Sequence, residues 1–552
     1  MARLVIVGGV AGGASAAARA RRLDETLEIV IYDRGPHVSF ANCGLPYFVG
    51  DVILDEAKLL VATPELFRER FNIEVRLNHE VLAIDAARRA VSVRDLKEDR
   101  TFEVSYDHLL LSPGARPLRP PLEGLDLPGV FALRTVPDSK RIRAWIEARD
   151  AKHATVVGGG FIGLEMAENF KRRGLDVAVI EREAHVLPPF DEEMARPLGA
   201  RMRAEGVDLY ESTGLAGIAP ATGASDRLEV RLSDGRTLET DLVLLSVGVR
   251  PEVSLAADAG LALGPLGGLQ VDARMRTSIP GIWAVGDAVE SVDAVNGAPV
   301  LAALAGPAQR QGRVAASDIC DREARFRGVQ RTAVCGAFGL TCASTGHSES
   351  ALRRVGCNDV EAVLLHPGHH AGYYPGAKPL HLKLVFSKTD GRVLGAQAIG
   401  EAGVERRIDV IATFMQMGGT VHDLAEAELC YAPQYGAAKD PVNIAGMIAG
   451  NLLRGDFRQV RWAEVEALAT VQVVDVRNPS EVAAGAYPGA LLMPLDTLRN
   501  RLGELDKARP VAVYCAAGQR GYYAARLLAQ HGFDVYNVAG GMQSRHAAEA
   551  TG

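Results

Sequence analysis

Two cysteines stand where a thiol could do chemistry. Cys43 lies in Ser39-Phe40-Ala41-Asn42-Cys43-Gly44-Leu45-Pro46-Tyr47, with no second cysteine near it along the chain. A C-x-x-C or C-x-x-x-x-C pair stores two electrons as an internal disulfide, whereas a lone thiol stores them only as a mixed disulfide, a persulfide or a sulfenic acid. The second sulfur or oxygen must then come from the substrate. Cys515 ends the apolar run Val511-Ala512-Val513-Tyr514 and opens the loop Cys515-Ala516-Ala517-Gly518-Gln519-Arg520-Gly521, after which a helix is expected from Tyr522. Backbone N–H groups in such a loop, with the dipole of the following helix, lower a thiol's pKa and stabilise an anionic persulfide.

The remaining cysteines, at 320, 335, 342, 357 and 430, have no paired spacing, so neither a structural disulfide nor zinc is expected. Cys335 and Cys342 alternate with apolar residues and read as buried small hydrophobes. Cys430 adjoins Tyr431 and is kept as a redox candidate.

Elements that could position Cys43 occur on both sides of it. Gly8-Gly9-Val10-Ala11-Gly12-Gly13 follows the strand-like run Arg3 to Val7 and opens an alanine-rich helical segment, the arrangement whose N–H groups and helix dipole receive a pyrophosphate. Val10 stands where a strict G-x-G-x-x-G has glycine. Asp33, twenty residues beyond Gly13, falls where an acid meets a ribose hydroxyl. A second unit, Val156-Val157-Gly158-Gly159-Gly160-Phe161-Ile162-Gly163-Leu164-Glu165, keeps the strict spacing at Gly158, Gly160 and Gly163. Glu181 ends the next strand and favours NADH over NADPH by repelling a 2′-phosphate; Arg182 beside it blurs that preference and keeps NADPH as the alternative.

Two apolar runs, Leu242 to Gly248 and Gly281 to Asp287, suggest that the first unit resumes after the second has been inserted, both with parallel sheets covered by helices. From about Gly328 to Gly446 shorter strands, with a turn at Thr389-Asp390-Gly391, read as an antiparallel sheet with helices and a dimerisation role. A helix from about Ala445 to Leu453 precedes a last small α/β module whose first strand lies near Val471 to Asp475.

The 552 residues exceed one hydrophobic core, and 48% hydrophobic with 23% charged residues is an ordinary globular balance. With a net charge of −7 and no long basic run, nothing points to a nucleic-acid partner, and no apolar run approaches a membrane span. The chain enters a strand at once rather than a signal peptide, which together with the unpaired cysteine spacing points to the cytoplasm.

The two nucleotide units, with Leu111-Ser112-Pro113-Gly114 and Trp283-Ala284-Val285-Gly286-Asp287, resemble the FAD- and NAD(P)H-dependent disulfide reductase superfamily over about residues 1 to 450. Ser39-Phe40-x-x-Cys43 resembles its single-cysteine branch, which contains coenzyme A disulfide reductase, persulfide reductase, NADH oxidase and NADH peroxidase. The resemblance implies FAD at Gly8, Gly9, Ala11, Gly12, Gly13, Asp33, Arg34, Asn42, Val81, Ser112, Gly114, Gly286, Asp287 and Tyr431. It implies NAD(P)H at Gly158, Gly160, Phe161, Ile162, Gly163, Glu181 and Gly248.

Coenzyme A is implied at Ser15, Arg19, Arg22, Ser39, Asn42 and Lys439. Arg19 and Arg22 share a helix face at i, i+3 and suit the phosphates of its ADP end. No histidine stands in Glu428 to Tyr435, where two-cysteine relatives carry one. The resemblance supplies Tyr431 and, within Gly372-Tyr373-Tyr374-Pro375-Gly376, Tyr373 from a partner subunit as hydrogen-bond donors to a departing thiolate.

Cys515-x-x-Gly518-x-Arg520, Val474-Asp475-Val476-Arg477, Pro488-Gly489-Ala490 and Gly540-Gly541 together resemble a single rhodanese domain, with Cys515 and Arg520 at its site. The expected organisation is an α/β chain with FAD-binding segments 1–150 and 249–327, an inserted NAD(P)H-binding domain 151–248, an α+β dimerisation domain 328–447, a linker 448–463 and a rhodanese domain 464–552.

The function implied is NADH-dependent reduction of per- or polysulfides and of coenzyme A disulfide by a homodimer. Cys43 does the reduction and Cys515 delivers sulfane sulfur. The alternatives are an NADH oxidase or peroxidase working through a Cys43 sulfenic acid, for which His37 is the nearest histidine in sequence, and a sulfur carrier or sensor with a regulatory flavin.

Overall fold

A computed structural model describes residues 2–222, 226–468, 470–483 and 485–549. The chain forms two compact units, Met1–Glu183 with Gly206–Arg331, and Ala184–Glu205 with Thr332–Gly552.

In the first unit β-branched runs become buried parallel strands. One sheet has the order Ile282–Ala284, His108–Leu111, Arg3–Val7, Glu28–Asp33, Glu74–Leu77, all parallel. Successive side chains point to opposite faces, so Leu4, Ile6, Ile29 and Ile31 pack against the helices Ala11–Leu23 and Ala305–Ile319. These helices approach closely because small residues line their contact; a Cβ on Gly312 would lie 2.3 Å from the Gly12 carbonyl. Val5, Val7, Val30 and Tyr32 face the other way, against Val81, Ile84, Val91 and Val93 of an antiparallel meander, His79–Asp85, Ala90–Asp95 and Arg100–Ser105.

The second sheet repeats this plan. Its order is Val207–Tyr210, Asp176–Ile180, His153–Val157, Leu242–Leu245, Val130–Phe131. The helix Phe161–Arg172 buries Leu164, Ala167 and Phe170, while the meander Leu215–Pro220, Leu228–Leu232, Thr237–Thr240 covers Val157, Ile180, Val243 and Leu245. Helices thus cover one face of each parallel sheet, as expected. An antiparallel meander buries the second face, because its alternating strands offer one apolar side of matching width. The second sheet also recruits Val130–Phe131 from before the glycine-rich turn.

In the second unit an antiparallel sheet has the order Ala333–Ala337, Leu340–Gly346, Val393–Gly400, Leu380–Phe386, Glu361–Leu365. It packs on the helices Val404–Gln416, Val421–Glu426 and Pro441–Leu453 through Leu382, Leu384, Phe386, Ala396, Ala398, Ile408, Ile411 and Val442. The last of these helices starts four residues ahead of the expected Ala445, since Asp440 caps it through the N–H of Val442 and Pro441 suits its first position. Cys335 and Cys342 prove to be cross-strand neighbours with buried side chains.

A charged cluster lies inside this unit. The Lys383 ammonium meets Asp191 at 2.8 Å, Glu193 at 2.5 Å and Glu349 at 2.9 Å, and Arg461 also binds Glu349. It ties the helix Glu192–Ala204, which the sequence places in segment 151–248, to the antiparallel sheet. The C-terminal module is a parallel sheet in the order Gln459–Val460, Val535–Val538, Val511–Tyr514, Gln472–Asp475, Leu491–Leu492.

Candidate functional site

Cys43 sits in a single turn of 3-10 helix, Asn42–Gly44, followed by the short helix Leu45–Val49. The approach is sharp: Ser39 has φ 47°, and its flanks are pinned by Ser39 N–H donating to the Gly9 carbonyl (2.9 Å) and Ala41 N–H to that of Leu59 (2.7 Å). At the far end of the short helix Arg143 donates to the Phe48 carbonyl (2.8 Å) and Arg173 to that of Val49 (3.2 Å), and both pair with Asp51. The cysteine-bearing segment is thus fixed to the first glycine-rich turn at one end and to the second nucleotide unit at the other.

The Cys43 side chain is exposed, yet surrounding protein pushes its thiol up, first by burial of the sulfur's approaches and then by the negative charges of Glu165 and Asp287. Glu165 comes from the helix after the second glycine-rich turn, and Asp287 from the pair Gly286-Asp287. Tyr47 donates to Glu165 at 3.2 Å. Burial pushes both carboxyls up as well, with the Tyr47 hydroxyl opposing it at Glu165 and Arg134 opposing it at Asp287.

The two dinucleotide cradles are built alike. Gly13 and Gly163 each lie where a Cβ would strike the carbonyl of Gly8 or Gly158 at 1.9 Å. Gly8 and Gly158 themselves have φ of +90° and +104°. Asp33 accepts from Gly9 N–H (2.9 Å) and Gly35 N–H (2.8 Å), and Glu181 accepts from Gly159 N–H (2.7 Å) and Glu183 N–H (2.8 Å). Each acid thereby locks its turn. A Cβ on Gly160 meets no protein atom within 4 Å, which explains why Val10 is tolerated at the corresponding place in the first turn.

Ser112 accepts from Gly13 N–H at 3.1 Å, Gly114 has φ +75°, and Val81 lies buried under the first sheet. Arg34 reaches Glu80 and Glu252. Ala11 and Gly12 open the first helix, Phe161 and Ile162 the second, and Gly248 follows the strand Leu242–Leu245 with φ +106°. These cradles, ending in the half-buried Asp33 and the buried Glu181, fit FAD in the first position and NAD(P)H in the second.

Three residues the sequence reading passed over belong here. Arg134 lies 3.7 Å from Asp287, and the Asn42 amide both donates to its carbonyl (3.2 Å) and accepts from its guanidinium (2.9 Å). A Cβ on Gly114 would touch the same guanidinium. Gln311, buried, accepts from Gly286 N–H at 2.8 Å and so fixes the turn that carries Asp287. Arg313 joins Arg19 and Arg22: burial, then Arg313, then Arg22 lower the Arg19 guanidinium's pKa. Among the described residues none of the three arginines has a carboxylate ion pair, and Arg19 Nε is buried without a hydrogen-bond partner. Ser15 lies on the same helix. Positive groups held together without a carboxylate partner leave a positively charged surface there. Only their position on two helices nearly 300 residues apart hid Arg313 from a linear reading.

In the second unit, the hydroxyls of Tyr373 and Tyr431 are 2.5 Å apart on exposed side chains. Their mutual hydrogen bond raises the Tyr373 phenol's pKa. Arg406 holds the loop beneath them by donating to the carbonyls of Cys430 (3.1 Å) and Tyr435 (2.8 Å). Lys439 is exposed in this unit, apart from Ser15, Arg19, Arg22, Ser39 and Asn42, which all belong to the first. His37, in the first unit, faces Glu56 at 3.7 Å, a carboxylate that Lys140 also binds.

Cys515 is buried at the end of Val511–Tyr514, and Gly518 N–H donates to its sulfur at 3.1 Å. The helix starts at Gln519, three residues before the expected Tyr522, because Gly518 takes φ +97° and turns the chain directly into it. Arg520 is consequently in the first helical turn. Its guanidinium makes two bonds with Glu481, at 2.5 and 2.6 Å, holding that carboxyl down at about 2. Asp475 and Arg477 pair in the core, where Tyr514 donates to Asp475 at 2.7 Å and its phenol is pushed up to about 12, chiefly by burial. They serve as scaffold.

The sequence pattern of the pyridine nucleotide-disulphide oxidoreductase family matches residues 2–312, that of the family's dimerisation domain residues 332–440, and that of the rhodanese-like domain residues 462–548. A coenzyme A disulfide reductase of Staphylococcus epidermidis is 34% identical over 447 residues, covering 81% of this chain and 99% of that protein. An NADH oxidase of Methanocaldococcus jannaschii is 35% identical over 446 residues, covering 80% and 97%. Reduced Bacillus anthracis CoADR-RHD is similar at 42% identity and a TM-score of 0.96, over 99% of this chain and 98% of that one. The NAD-dependent persulfide reductase of A. fulgidus is similar at 35% and 0.92, over 98% and 99%.

Proposed function

We propose the following from the premise that the chain belongs to the pyridine nucleotide-disulphide oxidoreductase family: it is an NADH-dependent reductase of coenzyme A disulfide and of coenzyme A persulfide and related per- or polysulfides. Cys43 is its reducing thiol, and the rhodanese-like domain delivers sulfane sulfur on Cys515. The observation that carries this reading is the placement of Cys43 within electrostatic reach of Glu165 from one nucleotide unit and Asp287 from the other. A thiol so placed exchanges electrons between two bound dinucleotides and an S–S bond arriving from outside.

FAD is held by the first cradle with Asp33, Ser112, Arg134 and Asp287, and NADH by the second with Glu181. When bound, they supply the two electrons that return a Cys43 disulfide or persulfide to the thiolate. The chain's own groups do the rest. The Cys43 thiolate attacks one sulfur of coenzyme A disulfide; the S–S bond breaks, one coenzyme A stays on Cys43 as a mixed disulfide and the other leaves as thiolate. With a persulfide the thiolate takes the outer sulfur, and hydrosulfide is the eventual product.

Tyr431 and Tyr373 of one subunit of a homodimer, which the matched dimerisation domain supports, donate to the leaving sulfur at Cys43 of the other. Arg19, Arg22 and Arg313 take the phosphates of the coenzyme A ADP end, with Ser15, Ser39, Asn42 and Lys439 along its length. Cys515 accepts sulfane sulfur from a donor persulfide, releasing a thiolate, and passes it to the coenzyme A thiol without net oxidation. Arg520 orders the loop through Glu481.

The same domain limits serve this assignment except that Gln459–Val460 joins the C-terminal sheet, Val130–Phe131 the second parallel sheet, and Glu192–Ala204 the second unit. The site of action is taken to be a reducing cytoplasm, which the unpaired spacing of the cysteines along the chain supports; among the described residues no helix is long and apolar enough to cross a membrane.

Steady-state NADH oxidation with coenzyme A disulfide, coenzyme A persulfide, glutathione persulfide, oxygen and peroxide tests this on wild type, Cys43→Ser and Cys515→Ser. Cys43→Ser should abolish reduction of every sulfur acceptor, and Cys515→Ser should impair only sulfane-sulfur substrates whose sulfur must first be carried to coenzyme A, such as glutathione persulfide. Oxygen or peroxide turnover as fast as sulfur turnover, untouched by Cys515→Ser, would establish the oxidase reading instead.

A further inference from the structure

The second unit contains a polar chain that the proposed chemistry does not use. His366 follows the edge strand Glu361–Leu365, and His381 lies in the neighbouring strand Leu380–Phe386. Their Nδ1 atoms are 2.6 Å apart, and His366 Nε2 lies 3.2 Å from the Ser544 hydroxyl on the C-terminal helix Gly541–Glu549. That helix is bound to the sulfur loop: Met542 N–H donates to the Cys515 carbonyl (2.8 Å) and Gln543 N–H to that of Ala516 (2.9 Å). Gly540, at φ +67°, is pressed between the two, since a Cβ there would lie 1.8 Å from Ser544 Oγ and 2.8 Å from His366 Nε2. Trp462 donates to the Gly541 carbonyl at 2.9 Å from the other side.

The tautomers make the chain a defined object. Two nitrogens 2.6 Å apart need one proton between them, so one imidazole donates at Nδ1 and the other accepts there. If His366 donates, its Nε2 is bare and accepts from Ser544; if it accepts, its Nε2–H donates to Ser544. Either way His366 bridges the dimerisation sheet to the helix that carries the loop. Burial first, and the facing His381 second, push His366 down to about 3, and burial also lowers His381, which favours the neutral form of both rings.

We infer that His366, oriented by His381 and acting through Ser544, is a positioning residue that holds the Cys515 loop in its sulfur-accepting geometry and makes that geometry depend on docking of the rhodanese-like domain against the dimerisation sheet. The inference rests on the assignment of Cys515 as the sulfane-sulfur acceptor. The hydrogen bonds of Met542 and Gln543 fix the loop carbonyls, and the loop carbonyls fix where the Gly518 N–H points. Misplacement of a reacting group by about an ångström costs roughly a hundredfold in rate.

The test uses full-length, FAD-loaded wild type, His366→Ala, His366→Gln, Ser544→Ala and Cys515→Ser. Three readouts are taken: NADH oxidation with coenzyme A disulfide, NADH oxidation with glutathione persulfide, and the pre-steady-state addition of one sulfur atom to Cys515, followed by intact-protein mass. His366→Ala and Ser544→Ala should slow charging of Cys515 and persulfide turnover roughly tenfold to a hundredfold, with coenzyme A disulfide turnover within about twofold of wild type. His366→Gln, whose amide both donates and accepts, should restore most of the rate. Charging of Cys515 at the wild-type rate in His366→Ala would overturn the inference. So would equal loss with both substrates, or failure of glutamine to rescue. Unimpaired persulfide turnover in Cys515→Ser would instead remove the carrier assignment, a separate failure.

Discussion

The Tyr47 hydroxyl donates to Glu165 at 3.2 Å across 118 positions of sequence, joining the helix that follows Cys43 to the helix that follows the second glycine-rich turn. The carboxylate held there faces the thiol it helps to raise. Burial is the first cause that raises this thiol, and the next is the negative charge of a residue on the nucleotide-binding helix itself.

Glu165→Gln should therefore make Cys43 more reactive at neutral pH. Removing a negative charge beside a thiol lowers its pKa, and each unit of lowering raises the thiolate fraction about tenfold when pH is well below the pKa. The rate of Cys43 alkylation by iodoacetamide, followed against pH in the NADH-reduced enzyme, should shift to lower pH in the variant. A profile unchanged or shifted to higher pH would show that Glu165 does not control the thiol.

The arginine triad predicts a different signature. Arg313→Ala should raise KM for coenzyme A disulfide roughly tenfold, about 1.4 kcal/mol, with little change in kcat, because a charge-assisted bond is lost in ground and transition states alike. The effect should fade as salt screens exposed charge. It should also shrink for a disulfide of dephospho-coenzyme A if Arg313 meets the 3′-phosphate. Equal KM values for wild type and Arg313→Ala at low salt would remove Arg313 from the site.

Tyr431→Phe should separate the two halves of the reaction. Flavin reduction by NADH should proceed as in wild type, while turnover of coenzyme A disulfide falls roughly a hundredfold, the scale of a lost proton donor. Tyr373→Phe should have the smaller effect if Tyr431 is the donor and Tyr373 its hydrogen-bonding partner at 2.5 Å. Rapid-mixing absorbance of the flavin distinguishes the halves, and a loss in the reductive half would contradict the role assigned.

What the sequence made legible was local in the chain. Glycine spacing, the acid ending the next strand, the lone Cys43 and the run from Cys515 to Arg520 each place their chemistry within about twenty-five residues, so turn geometry and helix dipoles could be read directly. What stayed hidden depends on distant pairings. Arg134 follows an unremarkable leucine and acquires meaning only by lying against Asn42 and Asp287. Gln311 looks like any helical glutamine until Gly286 donates to it. The meanders that cover each parallel sheet were invisible for the same reason, since an alternating strand carries no mark of which sheet it will cover. The early start of the helix after Cys515 is a φ effect at Gly518, a backbone choice that residue type permits without requiring.

Lys383 supplies the last prediction, about stability and its pH dependence. Three carboxylate oxygens, from Asp191, Glu193 and Glu349, lie within 4.8 Å of one another, and the buried ammonium among them is the cation that makes the cluster tolerable. Although burial opposes it, the attraction of Lys383 holds the Asp191 and Glu349 carboxyls at about 2, below their ordinary values of 3.8 and 4.5. A carboxyl depressed in the folded state stabilises the fold fully above its unfolded pKa and loses that contribution as pH falls toward the folded one. The wild-type Tm should accordingly drop between about pH 4.5 and pH 2. Lys383→Met removes the cation that Asp191, Glu193 and Glu349 share, leaving Arg353 and Arg461 at Glu349, and should destabilise this unit by roughly 3–5 kcal/mol at pH 7, as breaking a buried pair does. Without the ammonium those carboxyls are depressed less, by Ser350 at Asp191 and by Arg461 and Arg353 at Glu349, so the variant's Tm should fall less steeply than wild type over the acid range. Thermal unfolding of the FAD-loaded protein at a series of pH values measures both; parallel curves for the two proteins would mean that Lys383 does not hold the cluster together.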